Sequence, residues 1–449
     1  MTVTPIKTKA EQQYAAQFDA TIASLPGAGW VPAARRAAMH RFVAEGLPHR
    51  KLEAWKYTDL RTTLKDVPAP APSAAGRPKV DAAKLKAALG PELARLPAIR
   101  FVFINGVFAA ADIPDAHKPG DRYQFGTLAE TLGTKDVDWM QAGFAAEQSS
   151  PAALNAAFAT DGMVLRVMAE AKLDLPIHVV HLIDGVTPSS VTTRNLIRVD
   201  HGAQVTLLES HVGAGGAHHI NSVTHLHVLD GAKVEHLKLV ADGSQATHLS
   251  TWSIDVEAGA AYQAFQLSES PLLARNDVNV TFKGESASFS FNAVSLGRGR
   301  SHIDTTMVID HAVPRCASRE NIRAVLADEA RGVFQGKVIV RPDAQKSDGK
   351  QMAKALLLSP NTEFDSKPEL EIYADDVICG HGSTVAEMDD DQVFYLMARG
   401  IPEVQARALL IEAFAAEVID EIQHEGIRDA MRGRLQAWLS AQHEGNRAG

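Results

Sequence analysis

From about residue 162 to residue 385, short runs of Val, Ile, Leu, Thr and Phe alternate with polar residues, and glycines punctuate them. Strict alternation puts successive side chains on opposite faces of an extended chain, which is the pattern of β-strands with one face on a core. Four stretches align on their glycines: residues 199–205, 229–234, 256–262 and 282–287, with Gly202, Gly231, Gly259 and Gly284. The separations are 29, 28 and 25 residues, and nothing between them has helical spacing. A unit of that size cannot bury its own apolar face, whereas stacked units share one core. Glycine then marks the corner where the chain turns, because it carries no Cβ to clash there. The pattern predicts a mainly β fold with a parallel β-helix core over residues 162–388. A β-sandwich is the alternative, since its hairpins are also punctuated by glycine.

The flanks read as helical. Residues 10–25 carry apolar side chains at helical spacing, and Pro32 opens a second segment that runs to Glu45 before Gly46 and Pro48. Residues 68–78 (PAPAPSAAGRP) read as a semi-rigid Pro/Ala linker that does not pack. A short helix over 81–89 and one strand over 99–109 follow. At the other end, Asp389, Asp390 and Asp391 place carboxylates at a helix N-terminus, where they complement its dipole. Gly400 ends that helix and Pro402 begins the next. Val404, Leu409, Ile411, Phe414, Val418 and Ile422 then form an amphipathic face that either packs back on the β-rich body or meets a partner. The chain divides into an N-terminal helical region with the linker (1–98), a mixed connecting region (99–161), the β-helix core (162–388) and a C-terminal helical domain (389–449).

Composition narrows the function classes. With 45 basic and 54 acidic side chains the net charge is −9, so nucleic acid is not expected as a partner. No apolar run approaches a membrane span, and the N-terminal stretch lacks a secretory leader pattern. Two cysteines, Cys316 and Cys379, are too few to staple a secreted scaffold, so a reducing cytoplasm is the expected location. There is no Cys-x-x-Cys and no His-Glu-x-x-His, and residues 332–338 (GVFQGKV) only graze a phosphate-binding loop, so no ATP hydrolysis is expected of this chain.

Several side-chain groups carry candidate chemistry. Seven histidines lie between His211 and His248: His211, His218, His219, His225, His227, His236 and His248. On a strand, His225 and His227 share the face opposite Leu226 and Val228. They could bind Zn²⁺ or Cu²⁺, but with no carboxylate or thiol completing the set, a solvated outer face is the plainer reading. Asp304 with Asp310, or Asp255 with Asp277, could serve a β-helix carbohydrate-active enzyme, although aromatics at 6% are sparse for a sugar groove. The run Gly297-Arg298-Gly299-Arg300 could receive an anion but reads more simply as a turn with two solvated arginines, and Cys316 reads as a small buried hydrophobe. Finally, Cys379 and His381 stand at i and i+2 of an extended, glycine-flanked segment, so thiol and imidazole address one side. Two ligands do not make a metal centre. The pair is structural or half of a shared site.

The surroundings of that pair bear on the choice. Residues 356–359 (LLLS), 367–377 (KPELEIYADDV), 379–385 (CGHGSTV) and 394–401 (FYLMARGI) follow one another in order. They closely resemble the C-terminal signature of the SufB/SufD family, scaffold components of the SUF iron–sulfur cluster assembly machinery. Residues 53–60 (EAWKYTDL), and Gly382 where SufB proteins usually carry glutamate, are similar to the SufD side of the family. Ser383, Ala386 and Ala355 depart from the usual alanine, glycine and asparagine. The resemblance implies a right-handed parallel β-helix paired with SufB, and a SufC ATPase docked on the C-terminal helices. Phe394, Tyr395, Arg399, Ile411 and Phe414 are the expected docking residues. It implies a non-catalytic scaffold on which a nascent iron–sulfur cluster forms at the SufB–SufD interface, with His381 as a metal ligand, Cys379 beside it and further ligands from SufB. A flavin in the complex and a homodimer of the isolated chain are left open. A soluble metal-binding protein using the histidine-rich segment is the third reading beside the scaffold and the carbohydrate enzyme.

Overall fold

The computed structural model describes residues 7–71, 76–133, 138–145, 149–213 and 215–445. Helices α1 (Lys9–Thr21), α2 (Val31–Glu45), the single turn α3 (Leu60–Thr63) and α4 (Ala82–Arg95) come first. Strands β1 (Ile99–Ile104), β2 (Val107–Asp112) and β3 (Tyr123–Thr127) and helices α5 (Leu128–Thr131), α6 (Asp138–Ala145) and α7 (Ser150–Phe158) follow. Sixteen further strands then run from β4 (Met163–Val167) to β18 (Glu363–Ile372) and β19 (Ile378–Glu387), with no helix between them among the described residues. The chain closes with α8 (Asp390–Met397), α9 (Glu403–Ile419) and α10 (Glu425–Gly445). Among the described residues no helix is long and apolar enough to cross a membrane.

From β4 onward, consecutive strands fall alternately into two sheets, one of nine strands and one of ten, and strands within each sheet are parallel. This is a parallel β-solenoid, not a sandwich. Inward side chains such as Phe289, Trp252, Ile254, Val278 and Phe334 fill the space between the sheets. The expected single strand over 99–109 is instead the antiparallel hairpin β1–β2, because Asn105 and Gly106 both adopt positive φ, 49° and 80°, and close a tight turn. Strand β1 joins β5 (Ile177–Ile183) in parallel, while β2 and β3 close the N-terminal ends of the two sheets in antiparallel fashion.

The corner of each coil is a left-handed residue, and glycine is only one way to supply it. Glu170, Gly202, Gly231, Gly259, Ser286, Arg315 and Lys346 all have φ between 59° and 65°. From Gly202 to Arg315, each donates its N–H to a carbonyl of the next coil at 2.9–3.3 Å. Gly284 therefore does not play the part its alignment suggested. Ser286 holds that corner, and Gly284 is required because a Cβ there would stand 2.0 Å from the Ala258 nitrogen.

Helices cover the outer faces. Leu89 and Leu93 of α4, Ile411, Ala415, Val418 and Ile419 of α9, and Leu435 and Leu439 of α10 pack on Val180, Leu208, Leu237 and Leu267 of the ten-stranded sheet. On the nine-stranded sheet, Tyr14, Phe18, Phe42 and Trp55 pack against Leu249 and Leu273. The described start of the Pro/Ala linker also packs, contrary to the expectation. Ser190 donates its N–H to the Ala69 carbonyl and accepts from the Ala71 N–H, each at 2.8 Å; residues 72–75 lie outside the described residues.

Residues 53–60 clamp the N-terminal region onto the solenoid. Trp55 stacks on the Arg275 guanidinium, 3.7 Å from its ring centroid, and Arg275 donates to the Ala54 carbonyl at 2.8 Å. Thr58 donates to the buried Asp304 carboxylate and bonds His302 at 2.9 Å, while Glu53 pairs with Lys367 of β18. The segment thus crosses β12 (Leu273–Phe282), β14 (His302–His311) and β18 on one face.

Candidate functional site

The two ends of the solenoid differ. At the N-terminal end β2 and β3 close the sheets, whereas at the C-terminal end β18 and β19 are free edges of ten residues each. A free edge presents unpaired backbone donors and acceptors. Ile372, Tyr373, Ile378 and Val385 on this last coil are exposed by 41–65%, unlike the large apolar side chains on the strands of the inner coils.

Cys379 and His381 lie on that edge. In the register of β19 on β17 (Asp348–Leu357), Cys379 sits beside Gly349 and His381 beside Gln351. Cys379 is half-buried against the interior core, with its sulfur 3.6 Å from where a Cβ on Gly349 would stand, so Gly349 gives it room. Burial pushes the Cys379 thiol up, and the nearby carboxyls of Asp348 and Glu320 add to this. His381 is exposed, and no atom stands within 4 Å of a Cβ built on its neighbour Gly380. The thiol is a protonated, core-facing group, and the imidazole is the accessible one.

One group behind the pair was missed in the sequence. Glu320 of β15 (Ala317–Leu326) aligns with Gln351, which aligns with His381. Glu320 is fully buried, and burial pushes its carboxyl up to about 8 against the opposing pull of Ser318, Arg319 and Gln351. The signal was present: in ASRENIRAVL the inward parity carries Ser318, Glu320, Ile322 and Ala324, so the acid stands in the apolar row. The folded carboxyl keeps its proton up to about pH 8, while an unfolded one loses it near 4.5. The unfolded state then binds fewer protons between those values, and stability falls as pH rises through that window. Glu320→Gln should flatten the fall and raise stability at pH 7 by up to about 3 kcal/mol. Thermal melts of both proteins across the window check this; parallel curves would exclude it.

The histidine-rich segment is not a solvated face. His211, His236 and His248 point into the solenoid and are fully buried: His236 stacks on Trp252 at 4.2 Å and lies 3.1 Å from Glu209, and His248 lies 2.6 Å from Asp242. His225 and His227 do face outward, but α6 covers the first, leaving it 7% exposed. Carboxylates do complete the sets, Asp242 inside and Asp255 outside. Sequence parity fixes in or out, but not what else covers the outer face.

Three of the four acids suggested for sugar chemistry are held in ion pairs with arginine. Asp304 is buried and Asp277 nearly so, and Arg275 lies 2.5 Å and 2.8 Å from them; Asp310 is held by Arg341. Arg298 is not solvated but stacks on Trp438 at 4.0 Å, while Arg300 is exposed. Cys316 is buried, as a small hydrophobe would be.

The C-terminal residues separate into two sets. Phe394 and Tyr395 are 70% and 56% exposed, and Arg399 stacks on Tyr395 at 3.5 Å. Ile411, expected to face a partner, is buried on the solenoid, and Phe414 is partly buried there under Arg323. Helix α9 packs back through this face and leaves Val404 and Leu409 exposed on the other.

Two family descriptions together span most of the chain: the SufBD core domain of SUF-system FeS cluster assembly matches residues 181–414, and the SufBD protein N-terminal region matches residues 8–179. An iron–sulfur cluster assembly SufBD family protein of Synechocystis is 31% identical over 410 residues, 86% of each chain. The iron–sulfur cluster assembly protein SufD of Escherichia coli is 29% identical over 403 residues, 88% of this chain and 90% of its own. The SufD protein of Bacillus subtilis is 25% identical over 300 residues, 65% of this chain and 67% of its own. With a two-sheet parallel solenoid, helices on both flanks and these matches along its length, the chain belongs to the SufBD family of SUF-system iron–sulfur cluster assembly proteins.

Proposed function

We propose that this chain is the SufD-type scaffold subunit of a SUF complex, a non-catalytic partner of SufB on which a nascent iron–sulfur cluster is built. The observation that carries the reading is the open C-terminal end. Two free ten-residue strands and a band of exposed apolar side chains stand where Cys379 and His381 lie. A second solenoid of the same kind satisfies those edges by continuing both sheets, since strand addition supplies the missing backbone partners. The cluster is the cargo at that junction. His381 offers a ring nitrogen to iron, Cys379 is the half-buried neighbour that takes part as a thiolate only after losing its proton, and SufB supplies the remaining ligands.

The C-terminal helical domain is the proposed SufC dock, through Phe394, Tyr395 and Arg399 with Val404 and Leu409 alongside. Ile411 and Phe414 serve it indirectly, by fixing α9 to the sheet. Cutting the chain before α8 would strip α9 and α10 from an apolar sheet face, so point changes test the dock more cleanly. In co-expression with SufB and SufC, Ile378→Asp should lose SufB from the purified complex. Phe394→Glu combined with Tyr395→Ala should lose SufC and keep SufB. Retention of both partners in both variants would reject the two surfaces.

A further inference from the structure

On the outer face of the nine-stranded sheet, three side chains of ligand type converge. His225 and His227 are two apart on β8 (His219–Val228), and Asp255 on β10 (Thr247–Val256) is the register neighbour of His227. The two Nε2 atoms are 2.9 Å apart, and His227 Nε2 is 3.5 Å from an Asp255 carboxylate oxygen. Bonds of about 2.0–2.1 Å around a tetrahedral zinc-class ion put its donors roughly 3.4 Å apart, a value the two separations bracket. Without an ion, two neutral imidazole nitrogens facing each other share a single proton, whereas a cation takes both lone pairs and the carboxylate together. We propose that His225, His227 and Asp255 bind a divalent first-row transition ion of the zinc class, with a remaining position open to water.

The surroundings favour this. Imidazole with carboxylate is a borderline donor set suited to such ions. His227 and Asp255 are 22% and 29% exposed, which leaves a way in. Three cations lie near the site, and the first, Arg194, donates to the carbonyl of Gly143 at 2.9 Å. Arg198, beside His227 in the ladder, is tied to Asp200 at 2.7 Å, and Lys283, 3.8 Å from Asp255, has to swing aside. Gly143 of α6 lies over the His225 ring, where a Cβ would come within 2.8 Å, so that helix holds the ring in place. The inner trio of His211, Asp242 and His248 is a weaker candidate, sealed from solvent and with two members already joined at 2.6 Å.

The site stands apart from the proposed cluster junction, and its test keeps the two separate. The full chain, free of any histidine tag, carries Cys379→Ala and His381→Ala in every sample so that neither contributes. After chelator treatment it is titrated with Co²⁺, whose visible d–d absorption reports protein ligation. One equivalent should bind and be displaced by Zn²⁺. Adding His227→Ala with Asp255→Asn should abolish the band, and His201→Ala, an exposed imidazole elsewhere, should keep it. No band in the parent, or a band that survives the double change, overturns the proposal. Should the double variant fail to fold, melting of the parent decides: a rise in Tm with added Zn²⁺ supports the site, and an unchanged Tm overturns it.

Discussion

His381→Ala should leave the chain folded and paired with SufB while the yield of iron–sulfur cluster on the assembled complex falls about tenfold or more. The side chain is exposed on an edge strand, so its removal opens no cavity and strands no buried partner. What is lost is an imidazole nitrogen at the free end of the solenoid. Cys379→Ala should cost less, because its thiol faces the core and is held protonated there. The measurement is iron–sulfur absorbance of the reconstituted complex, normalised to folded protein. Wild-type yield from His381→Ala would end the proposal, and a larger loss from Cys379→Ala would exchange the two roles.

Arg275→Ala should destabilise the protein by about 3–5 kcal/mol, the cost of removing one partner from a buried charge network. Arg275 is fully buried, lies 2.5 Å from Asp304 and 2.8 Å from Asp277, and reaches the Ala54 carbonyl at 2.8 Å. Burial already raises the Asp277 carboxyl, and Arg275 is what opposes it. Without the guanidinium, two carboxyl groups remain inside without their cation and Trp55 loses the plane it stacks on. The N-terminal region should then loosen from the solenoid. Arg275→Lys should recover only part of the loss, since an ammonium lacks the fork that spans two carboxylates and a carbonyl. Thermal melting with limited proteolysis of residues 7–71 reads both effects, and an unchanged melt with an unchanged cleavage pattern would refute the clamp.

The family motifs were legible because each is a short contiguous run, yet the N-terminal and C-terminal ones do different work. Residues 379–385 could be read from their glycines as an open segment, while the ligand role of His381 came only from the family resemblance. The role of residues 53–60 could not be read, because Trp55 and Thr58 act on Arg275, Asp304 and His302, more than 200 positions away. The same holds for Glu320. Its parity was visible, but the depth that raises its carboxyl comes from coils above and below it.

By itself, then, the sequence determined that residues 162–388 are rich in strands and which side chains of one strand share a face, and its repeat favoured stacked units over a sandwich. All of these follow from the two-residue period of an extended chain and from bulk that must be buried somewhere. Tertiary structure decided the rest, because it depends on what arrives from elsewhere. Ser286, Arg315 and Lys346 turn corners as glycine does because each N–H meets a carbonyl of the next coil. His225 faces outward yet is buried because α6 lies on it. Ile411 and Phe394 are both apolar residues on the C-terminal helices, and only the outer face of the ten-stranded sheet separates them: it covers the first and leaves the second in solvent.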